Sequence, residues 1–308
     1  LLNNKLNLQF DYFKESREGI YLRRSSIPSY VGMINNPYGN IGKVENKGFE
    51  LSVNYANSWG GDWSLSLMGN YSFNRNKVLE DDSTVVYPWQ NTIGNKVALG
   101  LFESYGEIAA SPVQTGDTRP GDIKYKDING DGKIDEYDKV PIGWGSVPEI
   151  MYGFGFSLGW KNLSLTAMFQ GAAHVDAMLS GEGVLPFSQG SSRGNLLSNI
   201  TDRWTEENPR QNAFYPRLSI GNINMNYEES TWWLKDTDYL RLKNIELSYR
   251  LPDHWMKRIH LDNARIFIQG VNLLTFSSFK IWDVELGDGR GARYPNIASV
   301  SLGVNFNF

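Results

Sequence analysis

The densest run of side chains able to do chemistry is Asp127-Ile128-Asn129-Gly130-Asp131-Gly132-Lys133-Ile134-Asp135-Glu136-Tyr137-Asp138. On the EF-hand loop template, Asp127, Asn129 and Asp131 take positions 1, 3 and 5, and Gly132 takes the sharp turn at position 6. Lys133 offers its backbone carbonyl at position 7, Asp135 stands at 9 and Asp138 at 12. Oxygen donors at alternate positions converge when such a loop wraps an ion, and Ca2+ is a hard cation that takes roughly six to eight oxygens in irregular geometry. The spacing predicts a structural Ca2+ that orders residues 117–140 as an insertion within a longer loop. The competing reading is a metal-free, turn-rich loop, because Asn-Gly and Asp-Gly are strong turn formers. Asp rather than Glu at position 12 shortens the closing ligand and weakens its bidentate grip.

Little else is equipped for catalysis. The sequence holds no Cys, which excludes disulfides, thiolate nucleophiles and Cys-ligated metals. Its three His are His174, where a strand enters a long loop, and His254 and His260 in a short connection; they read as surface histidines. Gly155-Phe156-Ser157-Leu158-Gly159 fits G-x-S-x-G, but that motif needs a strand–turn–helix elbow, and here it lies within an alternating strand without an Asp–His pair. No enzyme is expected. A net charge of −4 gives no basic field to hold nucleic acid. Residues Asn195 to Trp204 read as a short helix with Leu196, Leu197, Ile200 and Trp204 as its apolar stripe. Trp89, Trp144, Trp232, Trp233 and Trp282 fall in long loops or at strand entries, where rings either pack the loop or stack on sugars.

The elements that must hold these residues show a period-2 alternation in long segments. Residues 47–57 set Phe49, Leu51, Val53 and Tyr55 against Glu50, Ser52 and Asn54. Residues 62–74 set Trp63, Leu65, Leu67, Tyr71 and Phe73 against Ser64, Ser66, Asn70 and Ser72. The same pattern runs through 149–160 (Phe154, Phe156 and Leu158 against Gly153, Gly155 and Ser157), 162–171, and the end of the chain. Residues 5–14, 238–251 and 263–275 read less cleanly: Arg241 and Lys243 share a face with Ile245, and the last segment switches face near Gly270, which predicts a bulge. Eight strands result, most of about 10–14 residues, where globular strands centre on roughly 5–6 and a tilted membrane strand needs about 9–11. No run approaches the roughly 18–20 apolar residues of a membrane helix. A mean hydropathy of −0.41 is compatible with a membrane barrel, because only alternate residues face lipid.

The connections alternate. Residues 58–61, 161–162 and 252–261 are short; 15–46, 75–148, 172–237 and 276–296 are long. All long loops therefore lie on one side, as in outer-membrane barrels. Tyr55, Trp59, Trp63, Trp160 and Tyr249 fall near the short turns and are expected to form the periplasmic aromatic girdle, with Tyr71, Phe73 and Tyr152 nearer the other rim. A β-sandwich with an aromatic core is the alternative, disfavoured by strand length and one-sided loops. The inner residues are Ser, Asn, Gly, Thr and Gln, too small and polar to fill an eight-strand barrel. The fold class is thus all-β: an antiparallel transmembrane β-barrel segment, one arc of a larger barrel, with residues 1–308 forming a single incomplete domain. The start Leu1-Leu2-Asn3-Asn4, with neither Met nor a signal peptide, reads as a processed or internal piece.

Several stretches together resemble a known family. They are Asn40 to Leu51 (NIGKVENKGFEL), Gly121 to Gly132 (GDIKYKDINGDG), Asp202 to Pro209 (DRWTEENP), Tyr215-Pro216-Arg217-Leu218, Trp233 to Ile245 (WLKDTDYLRLKNI) and Gly270 to Leu274 (GVNLL). In this order they resemble the SusC/RagA TonB-dependent outer-membrane transporters. The resemblance implies the C-terminal part of a barrel of about 22 strands, in the outer membrane of a Gram-negative, Bacteroidetes-type cell. It implies energy from TonB through an absent N-terminal segment, a SusD-like surface lipoprotein as lid, and glycan or peptide cargo. Val304, Phe306 and Phe308 resemble the assembly signal read by the barrel-assembly machinery. The function expected is outer-membrane nutrient import. The alternative is a calcium-binding surface adhesin or carbohydrate-binding β-protein without transport.

Overall fold

The computed structural model describes residues 2–83, 85–90, 94–181, 183–187, 196–221, 223–258, 261–287 and 289–307. In chain order its elements are β1 (Leu6–Arg23), β2 (Tyr38–Trp59), β3 (Trp63–Glu80), β4 (Ala98–Leu101), α1 (Tyr105–Ala110), β5 (Ile123–Tyr125), β6 (Ile150–Trp160), β7 (Leu163–Ala173), β8 (Asp176–Met178), β9 (Leu234–Asp236), β10 (Tyr239–Arg250), α2 (Asp253–Arg258), β11 (Asn263–Ser277) and β12 (Ser299–Asn307). Eight of these strands form one sheet in the order β1-β2-β3-β6-β7-β10-β11-β12, each pair antiparallel. The sheet is open, with β1 and β12 as its edges. It is the arc of a larger barrel that the alternation predicts.

Three strands run further from the short turns than expected. β1 continues to Arg23, β2 begins at Tyr38 and β3 ends at Glu80, so the first long loop shrinks to residues 24–37. These extensions rise past the apolar band, so no hydrophobic alternation marks them. Ladder hydrogen bonds and cross-strand ion pairs hold them instead, with Lys14–Glu45 at 2.7 Å and Lys43–Glu18 at 2.5 Å.

The bulge expected near Gly270 is found, but the face switch falls on β10: on β11 Ile268 and, past the bulge, Leu274 and Phe276 stay on the apolar side, while Val271 pairs with Asn244 on the polar side. Register shifts between Leu242 and Asn244 on β10, and opposite it β11 passes from Val271 to Leu274. The irregularity spans Lys243 and Asn272–Leu273, and Asn272 adopts a φ of 53°. Its effect is to return Leu240 and Leu242 to the apolar face and send Arg241 to the opposite side, which removes the clash in the plain alternation.

The long loops are not loose. Leu101, Ile123, Tyr125, Ile134, Leu179, Val184, Trp204, Tyr215, Trp233 and Phe279 form one buried cluster drawn from three different loops. Most of the cluster lies outside the eight-stranded sheet, in a dome on one side of it. Two small sheets, β4–β5 and β8–β9, brace it. The helix expected over Asn195 to Trp204 reduces to a single 3-10 turn, Ser198–Thr201, with Asn195 outside the described residues. Beyond it Trp204 N–H donates to the Tyr215 carbonyl and Tyr215 N–H to that of Asp202, at 2.9 and 3.0 Å, so long-range pairing overrides the helical spacing. The connection 252–261 holds a six-residue helix, α2, rather than a plain turn.

Candidate functional site: a two-faced wall and its loop dome

The register joins the alternate apolar residues into rows. One row runs Tyr12–Phe49–Phe73–Ile150, the next Phe10–Leu51–Tyr71–Tyr152. Further down, Leu65 pairs with Leu158 and Leu158 with Leu165, Leu165 with Leu247, Leu247 with Ile268, and Ile268 with Leu302. Leu67, Phe154, Leu247, Ile268 and Leu302 are all exposed in spite of being apolar. Such a continuous face is foreign to water. From Trp63 to Phe73 the strand rises about 34 Å at roughly 3.4 Å per residue, or about 25 Å along the normal at a tilt near 40°. That is the height of the apolar band of an outer-membrane barrel.

Tyr55, Trp59, Trp63, Trp160 and Tyr249 share this face and gather at its short-turn end. Trp59 pairs with Trp63 and Trp63 with Trp160, whose rings lie 5.9 Å apart, and Lys161 Nζ sits 5.4 Å over the Trp160 ring. Val304 and Phe306 lie on the same face of the edge strand β12, opposite Ile266 and Ala264. Phe308 and His260 lie outside the described residues.

The other face is polar. Gln9, Asp11, Glu50, Ser52, Asn70, Ser72 and Gln170 line a hollow of about 560 Å³. Reading the sequence as Ser, Asn, Gly, Thr and Gln missed three methionines there. Met68 and Met168 flank Gly155 across neighbouring strands, and Met151 stands opposite Ser72. Their opposite parity to the aromatic set was the available signal. Arg241, with only 3% of its side chain exposed, reaches Asp283 at 2.9 Å and Glu285 at 3.1 Å and takes Thr275 Oγ1 at 2.9 Å. Lys243 also reaches Glu285, at 2.8 Å. The wall thereby grips the loop after β11.

Within the dome the centre is Asp122. Arg217 donates to both its oxygens at 2.9 Å, Asn224 and Asn226 donate to Oδ1 at 3.1 and 2.8 Å, and the Arg119 N–H donates to Oδ2 at 2.9 Å. Gly121, with φ of 88°, packs so closely under the Trp204 ring that a Cβ would stand 2.2 Å from it. Trp233 Nε1 donates to the Asn226 carbonyl at 2.7 Å. Trp232 Nε1 donates to Phe214 O at 3.2 Å and Trp89 Nε1 to Tyr137 O at 3.0 Å, so these three indoles are committed to loop packing. Trp144 differs: it is half exposed and stacks flat on His174, with centroids 3.7 Å apart. His174 Nδ1 lies 3.2 Å from Glu149, which Arg75 clamps at 2.6 and 2.7 Å. Arg75, and after it His174, hold the Glu149 carboxyl below the usual range. Asp176 behaves oppositely: burial pushes its carboxyl up, against the Trp144 N–H that it accepts.

The loop 127–138 folds on itself. Asp127 accepts the amides of Gly130 and Gly132 at 2.7 and 2.8 Å, Asn129 that of Asp131 at 3.1 Å, and Asp131 that of Lys133 at 2.9 Å. Asp135 accepts the Tyr137 amide at 2.8 Å, and the fully buried Asp138 accepts those of Ile128 and Asp135 at 2.8 Å each. The donors are all hard oxygens, which suits Ca2+. No three His, Cys, Asp or Glu among the described residues gather closely enough to hold an ion alone. An ion here therefore needs Asn129 and the Lys133 carbonyl as well.

An open antiparallel sheet of this length, apolar on one face and polar on the other, with all long loops on one side, is a segment of a membrane β-barrel wall. The chain belongs to the family described as TonB dependent receptor-like, beta-barrel, whose model matches residues 1–273. It is 27% identical to the TonB-dependent receptor P3 of Formosa agariphila over 342 residues, covering all of this chain and 33% of that protein. It is 24% identical to the TonB-dependent receptor SusC of Bacteroides thetaiotaomicron, again across the whole chain and 30% of that protein. Its fold is similar to that of a chain from the RagAB peptide importer in the closed-closed state, with a TM-score of 0.70 at 21% identity, covering all of this chain and 34% of that one. The chain thus spans about a third of the length of the curated relatives it matches. The family is one of receptors rather than enzymes.

The stretches that carry the family resemblance meet in the dome: Gly121 and Asp122 from one, Trp204 from a second, Tyr215 and Arg217 from a third, Trp233 from a fourth.

Proposed function

We propose that this chain forms part of the wall of a SusC/RagA-type barrel that imports oligosaccharide or peptide across the Gram-negative outer membrane. The observation that carries it is the pairing of a lipid-height apolar band with a wet inner face in a chain of this receptor family. TonB supplies the energy through a segment outside this chain, and a SusD-like lipoprotein lids the dome. The polar inner wall, with its carboxylates and amides, suits hydrated cargo of either class. The barrel-assembly machinery inserts it, reading Val304, Phe306 and Phe308. The test is uptake by cells that carry the intact receptor: labelled oligosaccharide and labelled peptide are supplied separately, with TonB present or removed. Import of one of them, lost without TonB and without the lipoprotein, is the expected result; a receptor purified without any lipoprotein and inert towards both would overturn it.

The second reading is a Ca2+ held by Asp127, Asn129, Asp131, Lys133, Asp135 and Asp138. It is favoured by Gly130 and Gly132, whose φ of 76° and 83° let the loop wrap on itself. The ion would brace the dome, since Ile134 of the same loop is buried in its core. Chelation should then speed protease cleavage within 117–140, with an effect that the D127N/D131N variant no longer shows. Unchanged cleavage would count against the ion.

A further inference from the structure

One row beyond the upper aromatic rim, the outward face of the wall turns basic. Lys14, Lys47 and Arg75 stand side by side on β1, β2 and β3, directly above Tyr12, Phe49 and Phe73. Lys77 follows in the next row, opposite Glu45. The row is about 10 Å wide, from two strand spacings of roughly 4.8 Å. It lies where the apolar band of about 25 Å ends, the level of lipid headgroups.

The charges are only partly answered. Glu45 reaches Lys14 at 2.7 Å and Lys47 at 3.9 Å, and Glu149 takes Arg75. Four cations against two carboxylates leave the patch net positive. Lys14 and Lys47 each keep about half of their side-chain surface open. Arg75 also lies 5.4 Å from the centroid of the Phe73 ring, so the cationic row and the aromatic rim form one continuous surface. No such row continues across β6, β7, β11 and β12. β6 begins with Ile150 opposite Phe73, one row below Arg75, and the paired parts of β7, β10, β11 and β12 reach no higher. Within the sheet the patch is therefore confined to β1, β2 and β3, the strands that rise past the apolar band.

We propose that Lys14, Lys47, Arg75 and Lys77 bind the phosphate groups of an outer-leaflet phosphoglycolipid of the lipid A type, whose acyl chains lie on the aromatic rows beneath. The fit is charge complementarity at headgroup height, with apolar surface below for the chains. It rests on the membrane-wall reading above and adds a bound lipid to it. Glu45 sets the strength of the site by occupying Lys14 and Lys47.

The test uses the intact receptor carrying this wall, in non-ionic detergent. Bisphosphorylated lipid A, dephosphorylated lipid A and phosphatidylglycerol are titrated separately, and bound lipid is counted by native mass spectrometry. Heat-modifiable mobility on gels shows that each variant is folded. Lipid A should bind at least tenfold tighter than either comparison lipid. K14Q/K47Q/K77Q, which spares the Arg75–Glu149 clamp, should erase that preference, and E45Q should tighten lipid A severalfold. Equal binding of lipid A and its dephosphorylated form overturns the proposal, as does equal binding of phosphatidylglycerol or a triple variant that keeps the preference. A receptor that stays folded and monomeric without detergent would instead refute the membrane wall itself.

Discussion

Replacing Arg217 by Ala removes two charge-assisted hydrogen bonds of 2.9 Å from Asp122, a carboxylate with 2% of its side chain exposed. Losing one partner of a buried pair costs roughly 3–5 kcal/mol. Asp122 keeps Asn224, Asn226 and the Arg119 amide, so the lower end, about 3 kcal/mol, applies here. At about 1.4 kcal/mol per factor of ten, local opening of the dome becomes more than about 100-fold more frequent. Amide hydrogen exchange reads this directly at Ile123, whose N–H is held by Asn226 Oδ1 at 2.8 Å. The sheet amides of β6 and β7 serve as the internal control and should not change. The double variant D122N/R217M, which removes charge and partner together, should recover most of the protection. Exchange at Ile123 within threefold of wild type in R217A would refute the claim that this pair locks the dome.

Three further outcomes follow from the same geometry. Leu67→Arg, near the middle of the apolar band opposite Tyr55 and Phe156, should destabilise the folded barrel in vesicles by about 2–4 kcal/mol, while Met68→Arg on the inner face should cost far less; urea titration in lipid compares the two. Arg241→Ala leaves Asp283 without its cation and Glu285 with Lys243 alone, and should free the loop 278–298 to proteases while the strands stay folded, at a cost of roughly 3 kcal/mol. Asp176 has its folded pKa raised by burial, so its charge opposes folding above that value and costs nothing below the ordinary carboxylate value of about 3.9. Asp176→Asn should therefore slow dome proteolysis at pH 7 and make no difference at pH near 3, where a pH-independent effect would contradict the reasoning.

What the sequence shows plainly is the part of each strand with lipid on one side and water on the other, because only there does the environment impose alternation. Phe49, Leu51 and Val53 announce β2, whereas its first residues, Tyr38 to Asn46, lie beyond the apolar band and give no such signal. The bulge near Gly270 was legible from the broken period, but not its partner at Lys243, whose place depends on which strands pair. The dome was hidden for a different reason. Asp122 and Arg217 lie 95 residues apart, and nothing local to either predicts the other. The family stretches pointed to these residues without saying what they do. The calcium-type spacing was visible as a pattern of oxygens, and the structure adds that the same oxygens hold the loop's own amides. The basic row went unnoticed because Lys14, Lys47 and Arg75 become neighbours only through the register of three strands.

The central claim is that every second side chain of the sheet touches acyl chains while its neighbours face water. This chain holds no cysteine of its own, so single cysteines placed in it and spin-labelled report from known positions, with the unsubstituted receptor as the background control. Labels at Leu65, Phe154 and Leu302 and at the adjacent Ser66, Gly155 and Ser301 are compared in vesicles for collision with oxygen, which concentrates in lipid, and with a water-soluble nickel chelate. Oxygen-dominated collisions are expected at the first three and nickel-dominated collisions at the others. Labels at Leu65, Phe154 and Leu302 that meet neither reagent, as they would between two packed protein layers, would contradict it.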